Sequence, residues 1–145
     1  MNKYDKLELK NQICFPLYVC SKEIIRKYTP VLKEFDLTYT QYITLMALWE
    51  NKELTVNELA NKLFLDSGTI TPLLKKLEIR GLIKKTRQLK DERVVIVSIT
   101  NEGLALRDRL LDVPDKIASC LSLEPSEAET LYKILNKLMY EKDGI

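Results

Sequence analysis

The chain has 145 residues, of which 46% are hydrophobic and 30% charged, a composition typical of one soluble globular domain. It contains no histidine, only four glycines and three cysteines, and no two cysteines form a CxxC pair. These features argue against histidine catalysis, a structural zinc site and a glycine-rich phosphate loop. We therefore expect neither an enzyme nor a bound cofactor or metal.

The N-terminal segment and the apolar runs of the sequence indicate where in the cell the protein is expected. The N-terminal stretch MNKYDKLELKNQ has no apolar segment behind its charges, and runs such as VVIV are too short to span a bilayer. An odd number of cysteines argues against a secreted disulfide framework. We expect a cytoplasmic protein with free thiols and no membrane contact.

Helix signals begin near the N-terminus. The first predicted helix runs from about Asp5 to Tyr28 and is closed by Pro30. Thr38 and Thr55 are each followed three residues later by Gln or Glu, a capping-box pattern that predicts the starts of two further helices.

The next helix is predicted in TITPLLKKLEIRG, whose apolar residues recur at i, i+3, i+4 and i+7. Ser67 or Asp66 can cap its start, Gly81 is the expected terminator, and Pro72 is expected near the first turn.

The rest of the chain predicts a hairpin and two more helices. The runs LIKKTRQ and VVIVSIT are β-prone and are joined by the charged loop LKDE. Thr100 then caps a helix that we expect Pro114 to end, and Glu124 with Pro125 opens the last helix.

Positive charge is concentrated between Lys75 and Arg93. This segment has eight basic and three acidic residues, a net charge of +5, so the rest of the chain carries −3. Two short helices, a tight turn and a hairpin form the winged helix-turn-helix layout, and we expect the hairpin to bring Lys84, Lys85 and its other basic residues to one side. Pattern and charge together favour binding to duplex DNA over a solvated charged face.

The segment LTYTQYITLMALWENKELTVNELANKLFLDSGTITPLLKKLE, followed by KDERVV and SIT, closely resembles the MarR family of bacterial transcription regulators. QICFPLY and LDSGTITPLLKKLE are similar to its OhrR branch, the repressors that sense organic hydroperoxides. The resemblance implies a mainly α fold with a small β-hairpin wing, forming one domain over residues 1–145. Within it, a winged helix-turn-helix lobe covers about 35–100, and dimerisation helices cover about 1–34 and 101–145.

The resemblance also implies a homodimer that binds an inverted-repeat operator in double-stranded DNA and represses transcription. The helix near residues 67–79 is expected in the major groove, and the wing residue Arg93, oriented by Asp91, in the minor groove. The predicted DNA-binding residues are Ser67, Gly68, Thr69, Thr71, Pro72, Lys75, Lys76, Arg87, Lys90, Asp91 and Arg93.

In the OhrR branch an N-terminal cysteine senses peroxide and is hydrogen-bonded by tyrosines from the two subunits. The matching residues are Cys14, Tyr28 and Tyr39, with Tyr18 as an expected neighbour. Cys120 is a candidate resolving cysteine. A low-molecular-weight thiol could equally trap the oxidised sulfur, and the apolar neighbours of Cys120 would also suit a buried inert thiol.

Cys20 falls on a helical stripe with Ile13 and Leu17, which predicts a small core residue, whereas Cys14 lies off that stripe. Pro16 is expected to loosen the turn that holds Cys14, because it lacks an N–H. Three alternatives stay open. They are a broader redox regulator of the same family, a winged-helix protein-interaction module and, last in rank, a thiol peroxidase.

Overall fold

The computed structural model of the protein describes residues 2–141, and within that range it contains seven α-helices and one three-stranded antiparallel sheet. In chain order these are α1 Cys14–Lys33, α2 Tyr39–Asn51, β1 Glu53–Thr55, α3 Val56–Leu63, α4 Ser67–Ile79, β2 Ile83–Arg87, β3 Val95–Ile99, α5 Asn101–Arg109, α6 Val113–Cys120 and α7 Pro125–Tyr140. Short 3-10 helices at Asp5–Leu7 and Leu9–Asn11 precede α1. The mainly helical architecture with a small wing agrees with the predicted fold class.

Contacts divide the chain after Val113 into two compact units. The first contains α1 to α5 and the sheet, and the second contains most of α6 and all of α7. Among the helices of residues 2–141, none has the length and apolar character that crossing a membrane requires.

Local capping signals position the helices of the first unit. The hydroxyls of Thr38 and Thr55 each accept the backbone N–H of the residue three positions on. The side chains of those residues, Gln41 and Glu58, accept the backbone N–H of Thr38 and Thr55 in return. Both predicted capping boxes are therefore confirmed. Asp66, rather than Ser67, caps α4 by accepting the Thr69 N–H at 2.7 Å. Each such cap satisfies an N–H that has no partner within the helix.

The core of the first unit forms where α2, α3 and α4 meet the sheet. It contains the α4 stripe predicted from helical spacing, so that one face of α4 is fixed inward. Fully burying a leucine or isoleucine stabilises the fold by about 1.5–3 kcal/mol. The most deeply buried of these residues are Leu45, Leu48, Leu59, Ile70, Leu74, Leu77 and Val97.

The predicted hairpin is formed by β2 and β3, whose register pairs Ile83 with Ile99 and Arg87 with Val95. A third strand, β1, pairs with the other edge of β3 and was not predicted, because three residues carry too little pattern. β1 connects α2 to α3, so it anchors the wing to the helices.

The predicted bounds of the first helix, about Asp5 to Tyr28, were wrong at both ends. α1 begins at Cys14, and it continues through Pro30 to Lys33. Pro16 is consequently the third residue of α1, where a backbone N–H has no partner within the helix. The expectation that Pro16 loosens this turn is therefore wrong, because no helical bond is lost there.

Two other prolines also differ from expectation. Pro72 is the sixth residue of α4, beyond the first turn, so it removes the N–H that would bond to the Gly68 carbonyl. Pro114 is the second residue of α6, so it opens a helix instead of ending one. A proline in the first helical turn is well tolerated, so Pro114 is compatible with the helix that begins there.

Candidate DNA-binding face and thiol site

The outer face of α4 carries the predicted helix residues. Its inner face is fixed by four buried apolar residues, and the polar and small residues between them are solvent-exposed. Small residues permit close approach to base edges, and ammonium groups pair with phosphates. The exposed predicted residues of α4 are Ser67, Gly68, Thr69, Thr71, Pro72, Lys75 and Lys76.

The wing loop holds Arg93 through Asp91. Asp91 Oδ1 accepts the backbone N–H and the Nε–H of Arg93, both at 3.1 Å. These contacts hold the pKa of the Asp91 carboxyl below its usual range, so it stays ionised at neutral pH. The Arg93 side chain is 92% exposed, which leaves its outer edge available to a ligand.

We expected the basic residues of the hairpin to point to one side, but they do not. Lys84 and Lys85 are adjacent on β2 and so face opposite sides of the sheet. Lys85 Nζ lies 3.6 Å from Glu78 of α4, and Arg87 donates to the Glu92 carbonyl at 2.7 Å. Lys90 is exposed in the wing loop.

A cleft between α3, α4 and the wing brings Thr71, Lys85 and Arg93 together with Thr55 and Asn57 at the start of α3. The last two residues were not among the predicted DNA contacts. The available signal was the capping box, which marks the N-terminus of α3, and a helix N-terminus favours an anionic group.

Cys14 is the first residue of α1 and is solvent-exposed. Tyr18 follows one helical turn later and is 62% exposed, with the Lys22 ammonium 5.3 Å from its ring centre. The thiol is thus accessible to small molecules, with a phenol as its neighbour.

Three tyrosines cluster where α1 packs on α2. The ring centre of Tyr28 lies 4.8 Å from that of Tyr39 and 5.8 Å from that of Tyr42. Burial raises the pKa of Tyr28 and of Tyr39, and burial with the two neighbouring phenols raises that of Tyr42 to about 12. All three phenols keep their protons at neutral pH and can donate hydrogen bonds. Tyr42 was not among the predicted sensor residues.

Within one chain the structure does not bring Cys14 to Tyr28 and Tyr39. Cys14 and Tyr28 lie on the same helix, 14 residues apart. At about 1.5 Å per residue their backbones are about 21 Å apart. A hydrogen bond between them needs a second chain.

The other two cysteines are also exposed. Cys20 is not a core residue of the single chain, and neither are its stripe neighbours Ile13 and Leu17, which are 78% and 39% exposed. Helical spacing correctly predicted that these residues share one face of the helix. It could not show that no other part of residues 2–141 covers this face. Cys120 is the last residue of α6 and is exposed, so it is not the buried thiol that its apolar neighbours would suit. Its Sγ donates to the Lys116 carbonyl at 3.3 Å. Among residues 2–141 no cluster of ligating side chains could hold a metal ion.

The helix pair α3–α4, the exposed polar face of α4 and the charged wing define a winged-helix transcription regulator. The chain belongs to the transcriptional regulator SarA/Rot family, whose model matches residues 26–110. Membership of this family confirms the prediction of a transcriptional regulator rather than an enzyme.

Several characterised proteins are similar over nearly the whole chain. The organic hydroperoxide resistance transcriptional regulator of Bacillus subtilis is 42% identical over 137 residues, which cover 94% of this chain and 91% of that protein. The regulator SarZ of Staphylococcus aureus strain USA300 is 44% identical over 131 residues, covering 90% and 88%. A structure of reduced AbfR bound to DNA matches with a TM-score of 0.81 and 35% identity, covering 95% and 94%. These matches confirm the resemblance to OhrR-type regulators of the MarR family and the fold class.

Proposed function

We propose that this protein is a cytoplasmic DNA-binding repressor that releases its operator when an organic hydroperoxide oxidises Cys14. The observation that carries the proposal is the exposed Cys14 thiol at the start of α1, in a chain 42% identical to a hydroperoxide resistance regulator. Thiols that sense oxidants are typically accessible to solvent.

DNA binding uses α4 in the major groove and the wing in the minor groove. Exposure of the polar α4 face and of Arg93 supports this arrangement. A related protein, AbfR, has been solved bound to DNA in its reduced form, at 35% identity to this chain. Lys75, Lys76 and Lys90 supply phosphate contacts, whereas Thr69 and Thr71 approach base edges.

The active form is a homodimer built by the N-terminal and C-terminal helices, about 1–34 and 101–145, around DNA-binding lobes of about 35–100. Exposed apolar residues are concentrated on the N-terminal segment and α1 of the first unit and, separately, on α7 of the second unit, and exposed apolar surfaces of this kind mark interaction sites. These residues include Leu7, Leu9, Ile13, Phe15, Leu17, Ile25, Leu131, Ile134 and Leu138. In the dimer, Cys14 of one chain receives hydrogen bonds from Tyr28 and Tyr39 of the other.

The redox step begins with the Cys14 thiolate. Its sulfur attacks a hydroperoxide oxygen, the O–O bond breaks, and the alkoxide leaves and takes up a proton as an alcohol. The sulfur is oxidised to sulfenic acid while the peroxide is reduced by two electrons. A second thiol then attacks the sulfenic sulfur, an S–S bond forms and water leaves.

The second thiol is either Cys120 of the other subunit or a low-molecular-weight thiol. Exposure of Cys120 supports the first source, and a disulfide-containing form of the related AbfR has been solved. Mass spectrometry of peroxide-treated protein distinguishes the two, because one gives a crosslinked dimer and the other a mass increase on Cys14.

The proposal is tested by DNA release after treatment with cumene hydroperoxide. A duplex selected from a random library with the reduced protein serves as the ligand, and binding is followed by fluorescence anisotropy. Wild-type protein is expected to lose affinity on oxidation, while the variant Cys14→Ser keeps it.

The variant Cys20→Ser is the matched control, since it removes an exposed thiol from the same helix. It should respond as wild type does. Release of Cys14→Ser at the wild-type peroxide concentration would show that Cys14 is not the sensor.

A further inference from the structure

The end of α1 forms a Schellman motif, a helix terminus closed by two crossed hydrogen bonds. The Leu37 N–H donates to the Leu32 carbonyl at 3.1 Å, and the Asp36 N–H donates to the Lys33 carbonyl at 3.0 Å. Asp36 adopts the left-handed conformation, with φ of 54°, that this motif requires. The next carbonyls of the chain, those of Phe35 and Asp36, receive no bond from the helix itself.

The end of α4 has the same construction. The Leu82 N–H donates to the Leu77 carbonyl at 3.1 Å, and the Gly81 N–H donates to the Glu78 carbonyl at 2.9 Å. Gly81 supplies the left-handed residue, with φ of 75°. Arg80 is the capping residue of α4, so its backbone is fixed by this motif.

Arg80 joins the two helix ends. Its guanidinium donates to the Phe35 carbonyl at 2.9 Å and, through the other terminal nitrogen, to the Asp36 carbonyl at 2.5 Å. A cation at the negative end of α1 is also favoured by the helix dipole. Because a guanidinium is planar and both bonds come from one fork, the pair fixes orientation as well as distance.

We propose that Arg80 is a positioning residue that transmits a displacement of α1 to the recognition helix α4. The inference rests on the proposed function, in which oxidation of Cys14 alters the dimer contacts of α1. Cys14 is the first residue of α1, and the Arg80 contacts lie just beyond its last turn. A helix of 20 residues is about 30 Å long, so this single element extends from the sensor end to the Arg80 contacts. A displacement of the whole helix at the dimer contacts therefore reaches Arg80.

The alternative route between these helices passes through α2, which packs against both. Its contacts with α1 include ring contacts of Tyr28 with Tyr39 and Tyr42, which have no donor–acceptor direction, whereas two charge-assisted hydrogen bonds to backbone carbonyls have a defined direction. Loss of Arg80 should therefore leave α4 folded on α2 but weaken its coupling to α1.

The test compares Arg80→Met with Arg80→Lys and with Lys75→Met as a matched control. For each protein, affinity for the selected duplex is measured by anisotropy before and after cumene hydroperoxide. Oxidation of Cys14 is measured on the same samples by mass spectrometry, and thermal melting reports whether the variant is folded.

Arg80→Met is expected to oxidise at Cys14 as fast as wild type, while its ratio of oxidised to reduced Kd falls roughly 2- to 30-fold below the wild-type ratio. Arg80→Lys keeps the charge but not the fork, so it should restore part of the ratio. Lys75→Met, which removes a phosphate contact, should weaken both forms equally and leave the ratio unchanged.

A wild-type ratio in folded Arg80→Met would overturn the role of Arg80 and leave the sensor proposal standing. An equal fall of the ratio in Lys75→Met would also overturn it, because the effect would then reflect lost charge. If wild-type protein itself keeps its affinity after Cys14 is oxidised, the proposed function fails and the inference fails with it.

Discussion

At the scale of single residues, Gly103 shows how closely α5 approaches the sheet. A Cβ atom at this position would lie 2.5 Å from Ile99 Cδ1 and closer still to the Leu82 carbonyl oxygen, which belongs to the backbone and cannot move aside. The Gly103 carbonyl also accepts the Trp49 Nε1–H at 2.8 Å. This glycine is therefore needed for close packing, while its backbone holds α2.

Gly103→Ala is expected to lower the free energy of unfolding by about 1–3 kcal/mol, the usual cost of overpacking a core. Urea denaturation measures the change. Gly68→Ala is the control, because the nearest atom to its Cβ would be Asp66 Oδ1 at an ordinary 3.5 Å. Its effect should be neutral or stabilising by up to about 1 kcal/mol. Equal destabilisation by both changes would contradict the packing argument.

At the scale of elements, the wing is a hairpin whose loop is ordered by its own charges. Asp91 holds Arg93, and the Glu92 carbonyl holds Arg87, so two cations are fixed before any ligand arrives. Ordering these side chains in advance reduces the entropy lost on binding. Exposed ion pairs contribute little to stability, so their role in the wing is orientation.

Arg93→Ala is expected to reduce the dependence of DNA affinity on salt, because a cation held in the minor groove neutralises nearby phosphate charge and releases counterions. The slope of log K against log salt should fall in magnitude by about 1, with a lower affinity at every salt concentration. Anisotropy titrations at several salt concentrations measure it. Lys133→Ala in α7 removes the same charge outside the predicted face and should leave the slope unchanged.

Sequence predicted those elements whose signals are local. The caps at Thr38 and Thr55 and the terminator Gly81 were predicted because each depends on residues three or four positions away. Arg80 was not identified as a contact residue, since its acceptors lie 44 and 45 positions away in the chain. Cys20 was misplaced because periodicity shows which residues share a face, not what covers that face.

At the scale of the whole molecule, the separation of Cys14 from Tyr28 means that the proposed sensor takes parts from two chains. In the proposed homodimer there are two such sites, each of which combines the thiol of one chain with the phenols of the other. Loss of the phenols should slow oxidation of Cys14 by about tenfold or more, the effect of one lost hydrogen bond to a charged group.

A mixed dimer tests this arrangement. One chain carries Cys14→Ser and the other carries Tyr28→Phe with Tyr39→Phe, and two different affinity tags isolate the mixed species. Its remaining Cys14 should be oxidised at the wild-type rate, because it faces the intact tyrosines of the first chain. Mass spectrometry follows the reaction over time.

The homodimer with both tyrosines replaced is the control and should react slowly. If the mixed dimer reacts as slowly as that homodimer, the phenols do not act across the interface.

The uneven charge of the chain also affects the kinetics of binding. Lys75–Arg93 carries a net charge of +5, and the remaining residues carry −3. A duplex attracts the first segment and repels the rest, so an approaching molecule is turned toward the correct orientation before any contact forms. Encounters are then productive more often, and added salt slows arrival more than it speeds departure. The speed with which a vacated operator is reoccupied thus depends on ionic strength.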